Sequence, residues 1–114
     1  MIRTALEAML GVLDEKDWIQ GDLFEALSGA RGDQTDIDLE DVTGVCLAGS
    51  YTYALLTGAL RSEEGFFGVS EALLAVARDL FPGRKTATIP KFNDDKNTTR
   101  EDIILVLKTA VSKS

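Results

Sequence analysis

Leu6, Met9, Leu10 and Leu13 recur at the i, i+3, i+4, i+7 spacing of a single helical face, and that rhythm returns three times further along the chain. Val45, Leu47, Ala48, Tyr51, Leu55 and Ala59 share a face, widened by Cys46, Ala54 and Leu56. Val69, Leu73, Val76, Ala77 and Leu80 form a third stripe, and Ile103, Ile104, Leu107, Ala110 and Val111 a fourth. Amphipathic stripes of this kind bury only against one another, so the spacing predicts helices near 4–16, 43–60, 69–81 and 99–112. The expected fold is therefore mainly α: an irregular bundle of about four helices in one domain spanning 1–114.

Local signals place the ends of these helices. Thr4 and Glu7 have capping-box spacing, Pro82-Gly83 stops the third helix, and Thr99 precedes Glu101 and Asp102 at the start of the fourth. Gly11 inside the first helix costs about 1 kcal/mol relative to alanine. Gly44, Ala48, Gly49, Ser50 and Ala54 make the second helix slim enough for close neighbours.

Between the first two helices lies "DWIQGDLFEALSGARGDQTDIDLEDV", broken by Gly21, Gly29 and Gly32. It reads as a long acidic loop, with one short helical turn over Leu23–Leu27. A loop longer than about 12–15 residues in a compact domain is functional, mobile or a misread element, and all three readings stay open here. Two other connections read as irregular: "RSEEGFFG", a glycine-bounded loop holding Phe66 and Phe67, and "RKTATIPKF", an extended loop or short edge strand because of Pro90.

At 114 residues with 45% hydrophobic content, the chain has enough apolar surface for one core without metal or disulfide staples. Cys46 is the single cysteine and can make no internal disulfide, so nothing marks an oxidising compartment. The stretch "MIRTALEAMLGVL" holds Glu7 within its apolar run and has no small-residue cleavage pattern, which argues against a signal peptide. No apolar run approaches the ~18 residues of a membrane span. These features predict a cytoplasmic protein without membrane attachment.

The net charge of −7 is unevenly placed. Residues 1–45 hold 11 acidic side chains against Arg3, Lys16 and Arg31, a net of −8, and the remainder carries +1. Phosphate recognition needs clustered lysine and arginine, so direct nucleic-acid binding is not expected. A negative face instead suits a basic protein partner.

The chain contains no histidine, which removes the commonest general base, the commonest zinc ligand and every Ser-His or Cys-His nucleophile pair. Carboxylates remain. Asp33, Asp36, Asp38, Glu40 and Asp41 crowd one segment, and Asn93, Asp94 and Asp95 another. Either group can hold a divalent cation or divide acid and base roles, and either is equally what a solvated loop looks like. Counted from Asn93, oxygen side chains fall at positions 1, 3, 5 and 9 of a calcium loop, but Thr98 replaces its turn glycine and Ile104 its bidentate glutamate. Capping and Asx-turn chemistry accounts for this segment without a metal, and no cofactor is expected. The glycines of "GVCLAGSYTYALLTG" match no phosphate-binding loop. Cys46, on an apolar face without a basic neighbour, reads as a structural thiol.

The order of landmarks "DWIQG", "VCLAGSYTYA" and "IPKFNDDKNTTREDIILVLKTA" resembles a family of small uncharacterised proteins of actinobacteria and their bacteriophages, known as a domain of unknown function. The resemblance implies common elements at Trp18, Gln20 and Gly21, at Cys46, and at Asn93, Asp94 and Thr99. Ile19 stands where the family pattern has a polar residue or cysteine, and Phe92 where it has tryptophan. The family brings no activity, so what it implies is a phage-related source.

The leading functional expectation is a non-enzymatic protein-interaction module, or a phage-type modulator of a host or phage protein. Trp18, Gln20, Phe66 and Phe67 are its candidate contacts, since aromatic side chains dominate interface energetics. The alternative is a small-ligand or divalent-cation-binding domain, or a carboxylate-dependent enzyme, using Gln20, Asp36, Asp38, Asn93, Asp94 and Asp95. Acidic mimicry of nucleic acid ranks last, because most carboxylates fall in a loop. A fold-back of the long acidic segment would bring Gln20 and Asn93 together.

Overall fold

The computed structural model describes residues 2–60 and 65–114; residues 61–64 of the "RSEEGFFG" connection lie outside the described part. In chain order come α1 (Ile2–Glu15), β1 (Asp17–Trp18), β2 (Phe24–Ala26), β3 (Arg31–Gly32), a 3-10 turn (Leu39–Asp41), β4 (Val42–Val45), α2 (Leu47–Leu56), α3 (Phe66–Leu80), α4 (Ile89–Asp94) and α5 (Arg100–Lys113).

Three of the four helical stripes form as their spacing dictates. Leu6, Met9 and Leu13 of α1, Val69, Leu73, Val76 and Ala77 of α3, and Ile103, Leu107 and Ala110 of α5 are all buried in one apolar core. Helix α1 packs against α2 and α5, and α3 against α5. The start of α5 is a complete capping box: Thr99 Oγ1 accepts from Asp102 N at 3.2 Å, and Asp102 Oδ2 accepts from Thr99 N at 3.1 Å. Helix α1 instead begins at Ile2, which places Thr4 inside the helix and leaves its expected cap unformed.

The mainly α bundle is corrected: the fold is α+β. The segment between α1 and α2 is no loop but most of a four-stranded sheet, ordered β1-β4-β2-β3. β2 and β3 form an antiparallel hairpin, β2 pairs antiparallel with β4 through an irregularity at Glu25/Ala26, and β1 closes the far edge parallel to β4. Each strand has only two to four residues, too few for a period of two to stand out. "LFEAL", expected as a helical turn, is a strand because Phe24 and Ala26 point into the core while Glu25 is half-buried beside them. The expected helix over 43–60 is likewise cut at both ends: Val42–Val45 pair as β4, and α2 runs only from Leu47 to Leu56.

Where strand gives way to helix, backbone meets backbone. Cys46 N donates to Leu23 O at 3.1 Å, and a Cβ on Gly49 would collide with that same carbonyl. Gly49 is therefore the residue that lets α2 sit down on the chain leading into β2.

"IPKF", expected as extended, opens a six-residue helix. Thr88 caps it by accepting from Lys91 N at 3.2 Å, and Pro90 falls in its first turn, where its missing N–H has no carbonyl to serve. Phe66 and Phe67, expected in a loop, are the first residues of α3; Phe66 packs on Tyr51 with ring centroids 4.8 Å apart, while Phe67 stands 79% exposed.

Candidate functional site

Helix α4 is short, but it delivers Phe92 and Asn93 fully into the interior. Phe92 stacks on Phe81, and Asn93, at 1% exposure, faces the ends of β1 and α2. A buried carboxamide needs partners for two donors and an acceptor with two lone pairs. Asn93 finds all four: Oδ1 accepts from the Trp18 indole N–H at 2.6 Å and from Leu47 N at 2.9 Å, while Nδ2 donates to Ile19 O at 3.1 Å and to Asp94 Oδ1 at 2.9 Å. Leu47 N is one of the orphan donors at a helix start, so Asn93 caps α2 from another part of the chain.

The "WIQG" segment completes the joint. Gln20 Nε2 donates to Asn93 O at 2.9 Å and to Asp95 O at 3.0 Å, and Gly21 N donates to Asp94 Oδ1 at 2.9 Å. Gly21 has φ +94, a conformation that glycine adopts without strain. The structure thus brings Trp18, Gln20, Asn93, Asp94 and Asp95 into one network, joining residues more than 70 positions apart.

Asp95 turns away from this joint toward the loop before α4. Its Oδ1 accepts from Asn97 N and its Oδ2 from Lys85 N, both at 2.9 Å. The Asn97 and Lys85 amides, with the nearby Arg84 charge, hold its carboxyl below the usual carboxylate range. Burial raises the pKa of Asp102, but the Arg84 guanidinium at 2.8 Å and the Thr99 cap outweigh that, and the net shift is downward. Arg84, to which the sequence drew no attention, also donates to Thr98 Oγ1 and lies 4.8 Å over the Phe81 ring.

Asp36 and Asp38 are not part of this network. Asp33 Oδ1 accepts from Thr35 N at 2.8 Å and from Thr35 Oγ1 at 2.6 Å, bonds that lower its pKa, and Asp36 Oδ2 accepts from Asp33 N. Asp38 precedes the 3-10 turn without a side-chain capping bond. Among the described residues, no group of three or more Cys, Asp or Glu is arranged to hold a metal ion.

Cys46 is the N-cap of α2, its Sγ accepting from Gly49 N at 3.2 Å. Burial pushes the thiol upward and the Asp94 carboxylate adds to that, against the lowering effect of the Gly49 and Ala48 amides. The thiol stays protonated at neutral pH. It borders a hollow of about 190 Å³ with Asp22, Ala48, Pro90, Asn93 and Asp94.

Beside "WIQG" lies an open cleft of about 730 Å³, lined by Asp17, Trp18, Gln20, Glu25, Arg31 and Arg100. No local pattern marks Arg31 or Arg100 as neighbours of Trp18, because their place in the cleft depends on the hairpin and on the docking of α5 against α1. Phe66 and Phe67 do not line this cleft.

No helix among the described residues is long and apolar enough to cross a membrane. No curated protein and no solved structure matches the chain. A family model does match, over residues 2–113, and the chain belongs to that family, the family of unknown function DUF6197.

Proposed function

We propose that this protein is a non-enzymatic interaction module that docks, through the acidic surface around the β2–β3 hairpin, onto a protein presenting an apolar socket rimmed by lysine and arginine. The observation that carries this reading is Leu27, 87% exposed at the hairpin tip. An exposed leucine by itself is ordinary, but this one is held in place. Ala26 N donates to Ala30 O and Gly29 N to Ala26 O, both at 2.8 Å, and Leu27 N itself donates to Asp41 O. The tip is therefore ordered before any partner arrives, which reduces the entropy lost on binding.

Charge supplies the partner's chemistry. Leu27 shares a hollow of about 380 Å³ with Ala26, Ser28 and Asp41, and exposed Asp38 and Glu40 occupy the turn that ends at Asp41. A basic rim would be steered toward this face and fixed in register by it. With no histidine in the sequence and a protonated Cys46 thiol, neither a Ser-His nor a Cys-His nucleophile pair can form.

The test is to capture the partner from host lysate, produce it separately, and measure the reconstituted complex. Leu27→Ser and a rise in salt from about 50 to about 300 mM should each weaken binding by about tenfold or more, whereas Leu105→Ser, at another exposed leucine, should not. A complex indifferent to Leu27→Ser and to salt, or no partner captured at low salt, would overturn the reading.

A further inference from the structure

The cleft of about 730 Å³ beside Trp18 is built differently from a solvated surface. Four of its side chains are each locked by one edge and left open at another. The Trp18 indole N–H is committed to Asn93 Oδ1, which fixes the ring. Gln20 uses Nε2 twice, on Asn93 O and Asp95 O, and its Oε1 has no partner among the described residues. Arg31 donates Nη1 to Gln20 O at 2.9 Å and Nε to Glu25 Oε2 at 3.0 Å, with Nη2 unengaged among the described residues. Arg100 donates Nη2 to Leu13 O at 2.7 Å, and its Nε and Nη1 have no partner among the described residues. Side chains already held by the fold lose little rotamer freedom when a ligand arrives.

The charges select the ligand. Glu25 and Arg31 neutralise one another. Asp17 and Arg100 line the same cleft with opposite charge, yet they form no ion pair with each other or with any other described residue. A simple anion would satisfy only Arg100 and meet Asp17, and a simple cation would do the reverse. From this we infer that the cleft binds a zwitterionic amino carboxylate with a flat apolar side group. Its carboxylate pairs with Arg100, its ammonium with Asp17 and Gln20 Oε1, and its side group lies on Trp18.

Trp18 is the only tryptophan of the chain, so its emission reports the cleft directly. L-phenylalanine and glycyl-L-phenylalanine serve as probes, the pair distinguishing a free amino acid from a peptide by the separation of their charges. A saturable change in Trp18 emission is expected with one of them below about 10 mM, the weak end of specific small-ligand binding. Phenylalanine amide, which lacks the carboxylate, and N-acetylphenylalanine, which lacks the ammonium, should each bind about tenfold more weakly or worse. Arg100→Gln and Asp17→Asn should weaken the responding zwitterion similarly, with thermal melts confirming that the variants fold. No saturable change with either zwitterion, or equal responses to the capped analogues, overturns the inference. Leu27 is not part of this cleft, so failure here leaves the docking proposal standing, and the converse holds.

Discussion

The indole N–H of Trp18 and the side-chain oxygen of Asn93, 75 positions apart in the chain, meet at 2.6 Å in the interior. The same oxygen accepts the first amide of α2 from Leu47. One carboxamide therefore ties together the edge strand β1, the start of α2 and the end of α4.

Removing that carboxamide strands buried donors. Asn93→Ala leaves Leu47 N and the Trp18 indole unpaired, each costing about 1–3 kcal/mol, so chemical denaturation should show a loss of about 3 kcal/mol or more. Asn93→Asp keeps the acceptor but sets a buried carboxylate against the Ile19 carbonyl and Asp94. Such a group has a raised folded-state pKa, so this variant should gain stability as pH falls toward about 4. A variant equally stable at pH 4 and pH 7 would contradict the arrangement.

Gly49→Ala brings a methyl against the Leu23 carbonyl, a backbone atom that cannot rotate away. A loss of about 1–3 kcal/mol is expected, read as a lower thermal midpoint. Gly11→Ala, where a Cβ meets nothing within 4 Å, should instead stabilise by up to about 1 kcal/mol.

Asp95 and Asp102 both titrate below their ordinary range because of the contacts they make in the folded state. Lowered carboxyl pKa values contribute stability that is present above the unfolded-state value of about 3.9 and lost as pH falls through the folded-state values. Urea midpoints should be flat from pH 5 to 7 and decline below about 4. Asp102→Asn should flatten that decline while lowering stability at neutral pH, where it weakens the contact with Arg84.

Cys46 should be slow to alkylate in the native protein at neutral pH and fast once unfolded. Native labelling that keeps pace with labelling in denaturant would contradict a buried, protonated thiol.

The helical core was legible because long stripes carry their own evidence: Leu6, Met9 and Leu13, or Ile103, Leu107 and Ala110, are buried as their spacing predicts. The Thr99 cap was legible for the same reason, since its partner lies three residues away. The sheet was not, because strands as short as Asp17–Trp18 and Arg31–Gly32 are fixed by pairing with distant segments and not by local pattern. Trp18, Gln20 and Asn93 drew attention by residue type, but their convergence depends on β1 pairing beside β4. Arg31, Arg84 and Arg100 gave no signal, since an arginine in a loop or helix looks the same whether it meets water or a carbonyl far along the chain.

Amide hydrogen exchange at Leu47 tests the Asn93 joint most directly. The first amide of a helix ordinarily has no intrahelical partner and exchanges quickly. If Asn93 caps α2 across the interior, Leu47 N–H exchanges as slowly as the core of α1 and α5 and loses that protection in Asn93→Ala. Exchange at the rate of a fraying helix end in the native protein would contradict the account.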